Sequence, residues 1–203
     1  AIGWWMVASG LIDRPDVSHV RLSVHLMTAL FILGGLVWTA LDLFALDKDR
    51  SARPARMTVF AFVVIIILTI QIMWGAFVAG LEAGYAFPTW PLMGNELFPA
   101  NTPMLESAWR NLVDKPIVVQ FAHRWWAGVT VIALVWLARK VRQDHRIASV
   151  AIHSAFGTQF LLGIATLLTG MNIVVATSHQ AVGALVVITT AWGAHIIGRQ
   201  HKG

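Results

Sequence analysis

Three histidines take equivalent places in this chain: His25, His123 and His179 each stand a few residues inside the start of a long apolar segment. An imidazole there can hydrogen-bond across helices, relay protons or ligate a metal. The same-face neighbour one helical turn on is small each time: Ala29 after His25, Ala127 after His123 and Gly183 after His179. Small residues beside an imidazole clear a face for something planar. Two imidazoles at one depth on different helices are what a haem iron needs at its two axial positions. Close helix packing selects the same small neighbours, so packing stands beside ligation and proton transfer as a reading. The chain has no cysteine, which excludes disulfides, thiolate metal sites, iron–sulfur clusters and covalent c-type haem attachment.

Two arginines accompany these histidines. Arg124 follows His123, and Arg21 lies one turn before His25; guanidinium forks suit the propionates of a haem at the membrane surface. His153, early in its segment with Gly157 at the same-face position, and His195, late in its segment, lie near the other membrane face. They are the residues that a second haem would require. His179 and His195 point about 160° apart on one helix, so they do not share a face. His19, His145 and His201 fall in loops or the tail and receive no role.

The elements that must hold these groups are membrane spans. The chain has 203 residues, 57% hydrophobic and 12% charged, with mean hydropathy +0.68, outside the range of soluble domains. A bilayer core takes about 20 apolar residues of helix, and the segments 21–46, 56–81, 117–139, 147–169 and 172–198 meet that length. Residues 1–11 form about half a span, without the basic start or cleavage site of a signal peptide, and read as the end of an earlier helix. Lys48, Arg50, Arg53 and Arg56 fill one loop, Arg139, Lys140, Arg142 and Arg146 another, and Arg199 and Lys202 the tail. The positive-inside rule places all of them on the cytoplasmic or matrix side. The excess of 15 Lys+Arg over 10 Asp+Glu is therefore a topology signal and not a nucleic-acid surface. His25, His123 and His179 then sit roughly 6–10 Å inside helices that enter from the outer face. The outer loop 82–117, broken by Pro88, Pro91, Pro99 and Pro103 and carrying Trp90, Phe98 and Trp109, is long enough to fold over the His123 end of the helices.

A repeat runs through this plan. Ser9-Gly10-Leu11, Ala79-Gly80-Leu81 and Thr169-Gly170-Met171 each close an outward-going segment, and each is followed by an inward segment with an early histidine. Two such hairpins make a four-helix bundle. The second and third complete one; the first is left without a mate, which predicts a further hairpin ahead of residue 1.

Longer blocks carry a family likeness. Gly3-Trp4-Trp5-Met6-Val7-x-Ser9-Gly10-Leu11, Arg21-Leu22-x-x-His25-Leu26, Trp74-Gly75-Ala76-Phe77-Val78-Ala79-Gly80-Leu81-x-Ala83-Gly84, Thr89-Trp90-Pro91-Leu92-Met93, Gln120-Phe121-x-His123-Arg124 and His179-Gln180 together resemble the heme A synthases. The likeness is to their cysteine-free alphaproteobacterial and mitochondrial branch, and it covers essentially the whole chain in order.

The resemblance implies an all-α polytopic bundle of eight helices in two pseudo-symmetric halves, of which this chain resembles helices three to eight. Residues 1–46 would remain from the N-terminal, substrate-haem bundle, with 47–55 an inner loop. Residues 56–198 would form the complete C-terminal haem b bundle, with outer loop 82–117, and 199–203 a basic tail. It further implies a haem b held by His123 and His179, around which the residue pattern above sets Arg124, Ala127, Gly183 and Arg21. His25 would be one of two iron ligands for substrate haem O or product haem A, its partner and an assisting glutamate lying outside this sequence. The implied reaction oxidises the C8 methyl of haem O to a formyl group through successive hydroxylations, for cytochrome oxidase, and this chain alone would be inactive. Implied partners are haem O synthase, cytochrome oxidase assembly factors and a second copy in a homo-oligomer, in the bacterial plasma membrane or the mitochondrial inner membrane. The competing readings are a b-type transmembrane electron-transfer cytochrome and a haem-free transporter with a histidine proton relay.

Overall fold

The computed structural model describes residues 1–10 and 16–200, and these are all-α. Seven helices follow in order: α1 (Ile2–Val7), α2 (His19–Lys48), α3 (Val59–Gly80), α4 (Ala108–Asp114), α5 (Pro116–Arg142), α6 (Arg146–Leu168) and α7 (Ile173–Gln200), with one 3-10 turn at Ala83–Tyr85. Of these, α2, α3, α5, α6 and α7 are long and apolar enough to cross a membrane. They match the five expected spans within a few residues at each end.

Local chemistry sets the helix ends. Thr58 caps α3 by accepting from Ala61 N at 3.2 Å, and Asn172 caps α7 through Val174 N at 3.0 Å, satisfying donors that a helix start leaves free. Pro116 opens α5, where its missing N–H costs nothing. The last turn of α5 carries Arg139, Lys140 and Arg142, favourable at the negative end of the helix dipole. At the end of α6 the chain turns through left-handed Gly170 and Met171. Met171 N donates to Thr166 O and Gly170 N to Leu167 O, closing the free carbonyls.

Neighbours pack α3 on α5, α5 on α6 and α6 on α7, with α7 also touching α5 and α3; α2 lies against α3 and α7, and α1 against α2. Large apolar side chains cover the outside: Phe31 is 83% exposed, Val59 82% and Ile147 79%. Water would penalise such a surface and lipid does not.

The close-packed core lies in the inner half. It comprises Val64 and Leu68 of α3, Ala133 to Val141 of α5, Ala148, Ile152 and Ala155 of α6, and Val186 and Ile196 of α7. Counted from the histidines, it begins at Ala133, ten residues past His123, and at Val186, seven past His179. That is roughly 10–15 Å deeper along each helix. At the histidine level itself Ala76, Phe77, Val119, Gln120 and Arg124 are buried outside that cluster.

Candidate haem-ligating site

The three histidines share one depth. His25, His123 and His179 stand six, seven and six residues beyond the first residues of α2, α5 and α7, or roughly 9–10.5 Å along each axis. All three are partly buried.

Each ring lies against a glycine of a helix earlier in its own hairpin. A Cβ built on Gly75 of α3 would stand 3.0 Å from His123 Cε1, 3.5 Å from Nδ1 and 3.8 Å from Nε2. On Gly163 of α6 the distances to His179 would be 3.1, 3.7 and 3.7 Å, and on Gly3 of α1 those to His25 would be 3.2, 3.7 and 3.8 Å. One contact is repeated three times.

In two of the three, a glutamine one turn before the glycine completes the contact. His123 Nδ1 lies 3.3 Å from the backbone oxygen of Gln71, and His179 Nδ1 lies 3.1 Å from that of Gln159. The Gln71 side chain donates to His123 O at 3.1 Å and also lies 3.2 Å from His123 Nδ1. The Gln159 amide nitrogen lies 3.5 Å from His179 Nε2.

These residues fit a bis-imidazole group. Anchoring through Nδ1 would leave Nε2 to ligate, and a glycine makes room beside each ring. Second-contact partners of this kind are the usual means of orienting a metal-bound histidine.

Arg124 is 5% exposed and turns into the outer loop. Its Nη1 donates to Pro91 O at 3.2 Å and Leu92 O at 2.9 Å, and its Nη2 to Phe87 O at 3.2 Å. The guanidinium lies 5.6 Å from the Trp90 ring centre, and Nε is buried with no partner. Gln120 adds donations to Gly84 O at 3.3 Å and Phe87 O at 3.1 Å. Trp90 packs edge-on against Phe160, and Phe98 against Phe121. The loop thus folds back onto the outer ends of α5 and α6. Prolines deny it a regular backbone ladder, and one arginine fork and one amide gather the carbonyls left over.

The remaining residues singled out in the sequence divide. Arg21 donates to Trp5 O at 3.0 Å and lies over the Trp5 ring at 4.7 Å, joining α2 to α1. The space at Gly183 is taken up by the Gln159 amide, 3.2 Å from a Cβ built there. Ala127 is partly buried and Ala29 exposed. His195 is 3% exposed, held at 2.9 Å by Asp42 Oδ1 of α2 and packed edge-on against Trp38. His153 is exposed, with Nδ1 2.8 Å from Ser149 O. His19 Nε2 lies 3.3 Å from Asp114 Oδ1. His201 and Lys202 fall outside the described residues. Sequence reasoning passed over Gln71, Gln159, Gly163 and Asp42. The signal for the first three is a repeated Gln-x-x-x-Gly, at Gln71 and Gly75 and again at Gln159 and Gly163.

Comparison with known proteins agrees along the full length. The chain is 56% identical over 204 residues to the heme A synthase of Erythrobacter litoralis, covering 100% of this chain and 60% of that relative. It is 53% identical over 196 residues to that of Rhizorhabdus wittichii, covering 96% and 56%. With that of Bradyrhizobium diazoefficiens it shares 41% over 197 residues, covering 94% and 54%. The chain spans less than two thirds of the length of these relatives. No solved structure gives a significant match. The profile of the cytochrome oxidase assembly proteins called COX15-CtaA matches residues 1–191, and the chain belongs to that family.

Proposed function

We propose that this chain is part of a multi-pass membrane heme A synthase, and that α3, α5, α6 and α7 form its haem b bundle. In the full-length protein the reaction is oxidation of the C8 methyl of haem O to the formyl of haem A. The observation that supports the bundle is the repeated contact of a histidine with a glycine at one depth, on α5 and on α7. The relatives' names supply haem A synthesis, and the family resemblance of the sequence blocks supports the methyl oxidation.

A b-type haem, when bound, supplies reversible one-electron transfer. His123 and His179 would hold it through Nε2, with Nδ1 of each tied to a helix carbonyl. Arg124 and Gln120 keep the outer loop folded over this end of the helices and so exclude water. The Nε of Arg124, buried without a partner, is the donor left for a propionate. Ala127 keeps its face of α5 low, and Gly183 makes room for the Gln159 amide. His25, set on Gly3 as His123 is on Gly75, would serve the substrate-haem site in residues 1–46, with Arg21 bracing its helix against α1.

Extraction and mass analysis of the haem in the full-length protein tests this reading. Haem b together with haem O or haem A is the expected result. Haem b alone would favour an electron-transfer cytochrome, and no Soret band at all would return the histidines to packing or proton relay.

A further inference from the structure

We propose that Gln71 with Gly75, and Gln159 with Gly163, are a matched pair of positioning devices that fix the tautomer and ring plane of His123 and His179. The proposal rests on the haem-ligand reading above and deepens it. In an α-helix the carbonyl of residue i accepts from the N–H of i+4, and the side chain at i+4 leans back toward that carbonyl. Glycine at i+4 removes the cover. His123 and His179 exploit the opening, with Nδ1 3.3 Å from Gln71 O and 3.1 Å from Gln159 O.

A backbone oxygen only accepts, so Nδ1 carries the ring proton at His179 and Nε2 the lone pair; the same holds at His123 where the Gln71 amide, 3.2 Å from Nδ1, spends its N–H on His123 O instead. That is the tautomer able to bind iron through Nε2. The Gln159 amide agrees with it independently, since its N–H faces His179 Nε2 at 3.5 Å, where only a lone pair is welcome. Gln71 uses its amide differently, donating to His123 O at 3.1 Å and so tying the ligand's own backbone to α3. The glutamines and glycines touch no iron. They act through the imidazoles, and a hydrogen-bonded Nδ1–H makes Nε2 a more basic ligand, which favours the ferric state and lowers the reduction potential.

The glycines are the sensitive points. A Cβ at Gly75 or Gly163 would stand 3.0 or 3.1 Å from Cε1 of the facing ring, so the ring must move a few tenths of an ångström off its carbonyl. Full-length protein purified with its haem should be compared as wild type, Gly75→Ala, Gly163→Ala, Gln71→Ala and Gln159→Ala. Gly128→Ala on α5, where a new Cβ meets nothing within 4 Å, is the control. Low-spin electron paramagnetic resonance g values, reduction potential and haem retention are the readouts.

The glycine variants should shift the g values, raise the potential and weaken haem retention about 10- to 100-fold. The glutamine variants keep the backbone carbonyl and should move the potential less, and Gly128→Ala should match wild type. Wild-type g values and potential in both glycine variants would overturn the proposal. A wild-type protein without a bis-histidine signal would instead defeat the ligand assignment beneath it. Should the glycine variants not assemble, electron–nuclear double resonance on the wild type with nitrogen-15 histidine decides: ligation through Nε2 with an exchangeable proton on Nδ1 is expected, and ligation through Nδ1 would overturn the idea.

Discussion

Gly75 of α3 and His123 of α5 meet so closely that a single added methyl would press on the imidazole at 3.0 Å. The same relationship joins Gly163 to His179 and Gly3 to His25, with corresponding distances equal within about 0.2 Å. The three crossings follow the repeated hairpin plan, and on the proposed haem reading that repeat presents the same ring nitrogen at the same angle each time.

His123→Ala and His179→Ala should each abolish the low-spin bis-histidine spectrum of the full-length protein, since one remaining imidazole cannot fill both axial positions. His25→Ala should spare that spectrum and lower only the content of haem O or haem A. Optical and electron paramagnetic resonance spectra with haem extraction check all three. Retention of the wild-type signal in both His123→Ala and His179→Ala would show the ligands to be elsewhere.

The spans and the common histidine depth were legible in the sequence, because apolar length and position along a helix depend on one segment at a time. The pairing of Asp42 with His195, 153 residues apart, was not, since it exists only when α2 lies against α7. Gln71 and Gln159 escaped notice for a related reason: a glutamine one turn from a glycine in an apolar helix carries no mark of the ring that will sit on it. The direction of Arg124 depended on the loop. Its reach was clear from the sequence, but the carbonyls of Phe87, Pro91 and Leu92 that claim two of its nitrogens are products of the loop's fold.

Asp42 and His195 should be energetically coupled. Asp42 Oδ1 also accepts from Ala55 N at 2.9 Å and lies 3.8 Å from Arg199 Nη1, so one carboxylate ties α2, the inner loop and α7 together. A double-mutant cycle of Asp42→Ala and His195→Ala, read by thermal unfolding in detergent, should give an interaction of about 0.5–3 kcal/mol. Strict additivity would show the contact to be idle.

Gly80 and Gly84 should respond differently to alanine. At Gly80 a Cβ would stand 2.6 Å from His19 Cβ and 2.8 Å from its Cα, so the start of α2 must move, at a cost of about 1–3 kcal/mol. At Gly84 the clash is with the end of the Met171 side chain, which can swing aside. Melting temperatures of the two variants should therefore fall in that order, and a larger loss at Gly84 would mean that Met171 is pinned.

Arg124 should matter first for the loop and only then for the haem. Replacing it with leucine removes donors to three loop carbonyls, and one charge-assisted hydrogen bond contributes about 1.5–3 kcal/mol. The segment 82–117 should then be cut faster by protease, while His123, facing Gly75, keeps its ligating geometry. Arg124→Lys should not restore protection, because a single ammonium lacks the planar fork that spans Phe87 O and Leu92 O together. Limited proteolysis paired with haem titration separates the effects: rapid cleavage with an intact bis-histidine spectrum and weakened haem retention is the expected pattern. Complete loss of haem in Arg124→Leu, equal to that in His123→Ala, would mean that the fold of the loop is a precondition for the site. In that case Arg124 would hold the haem by building its enclosure.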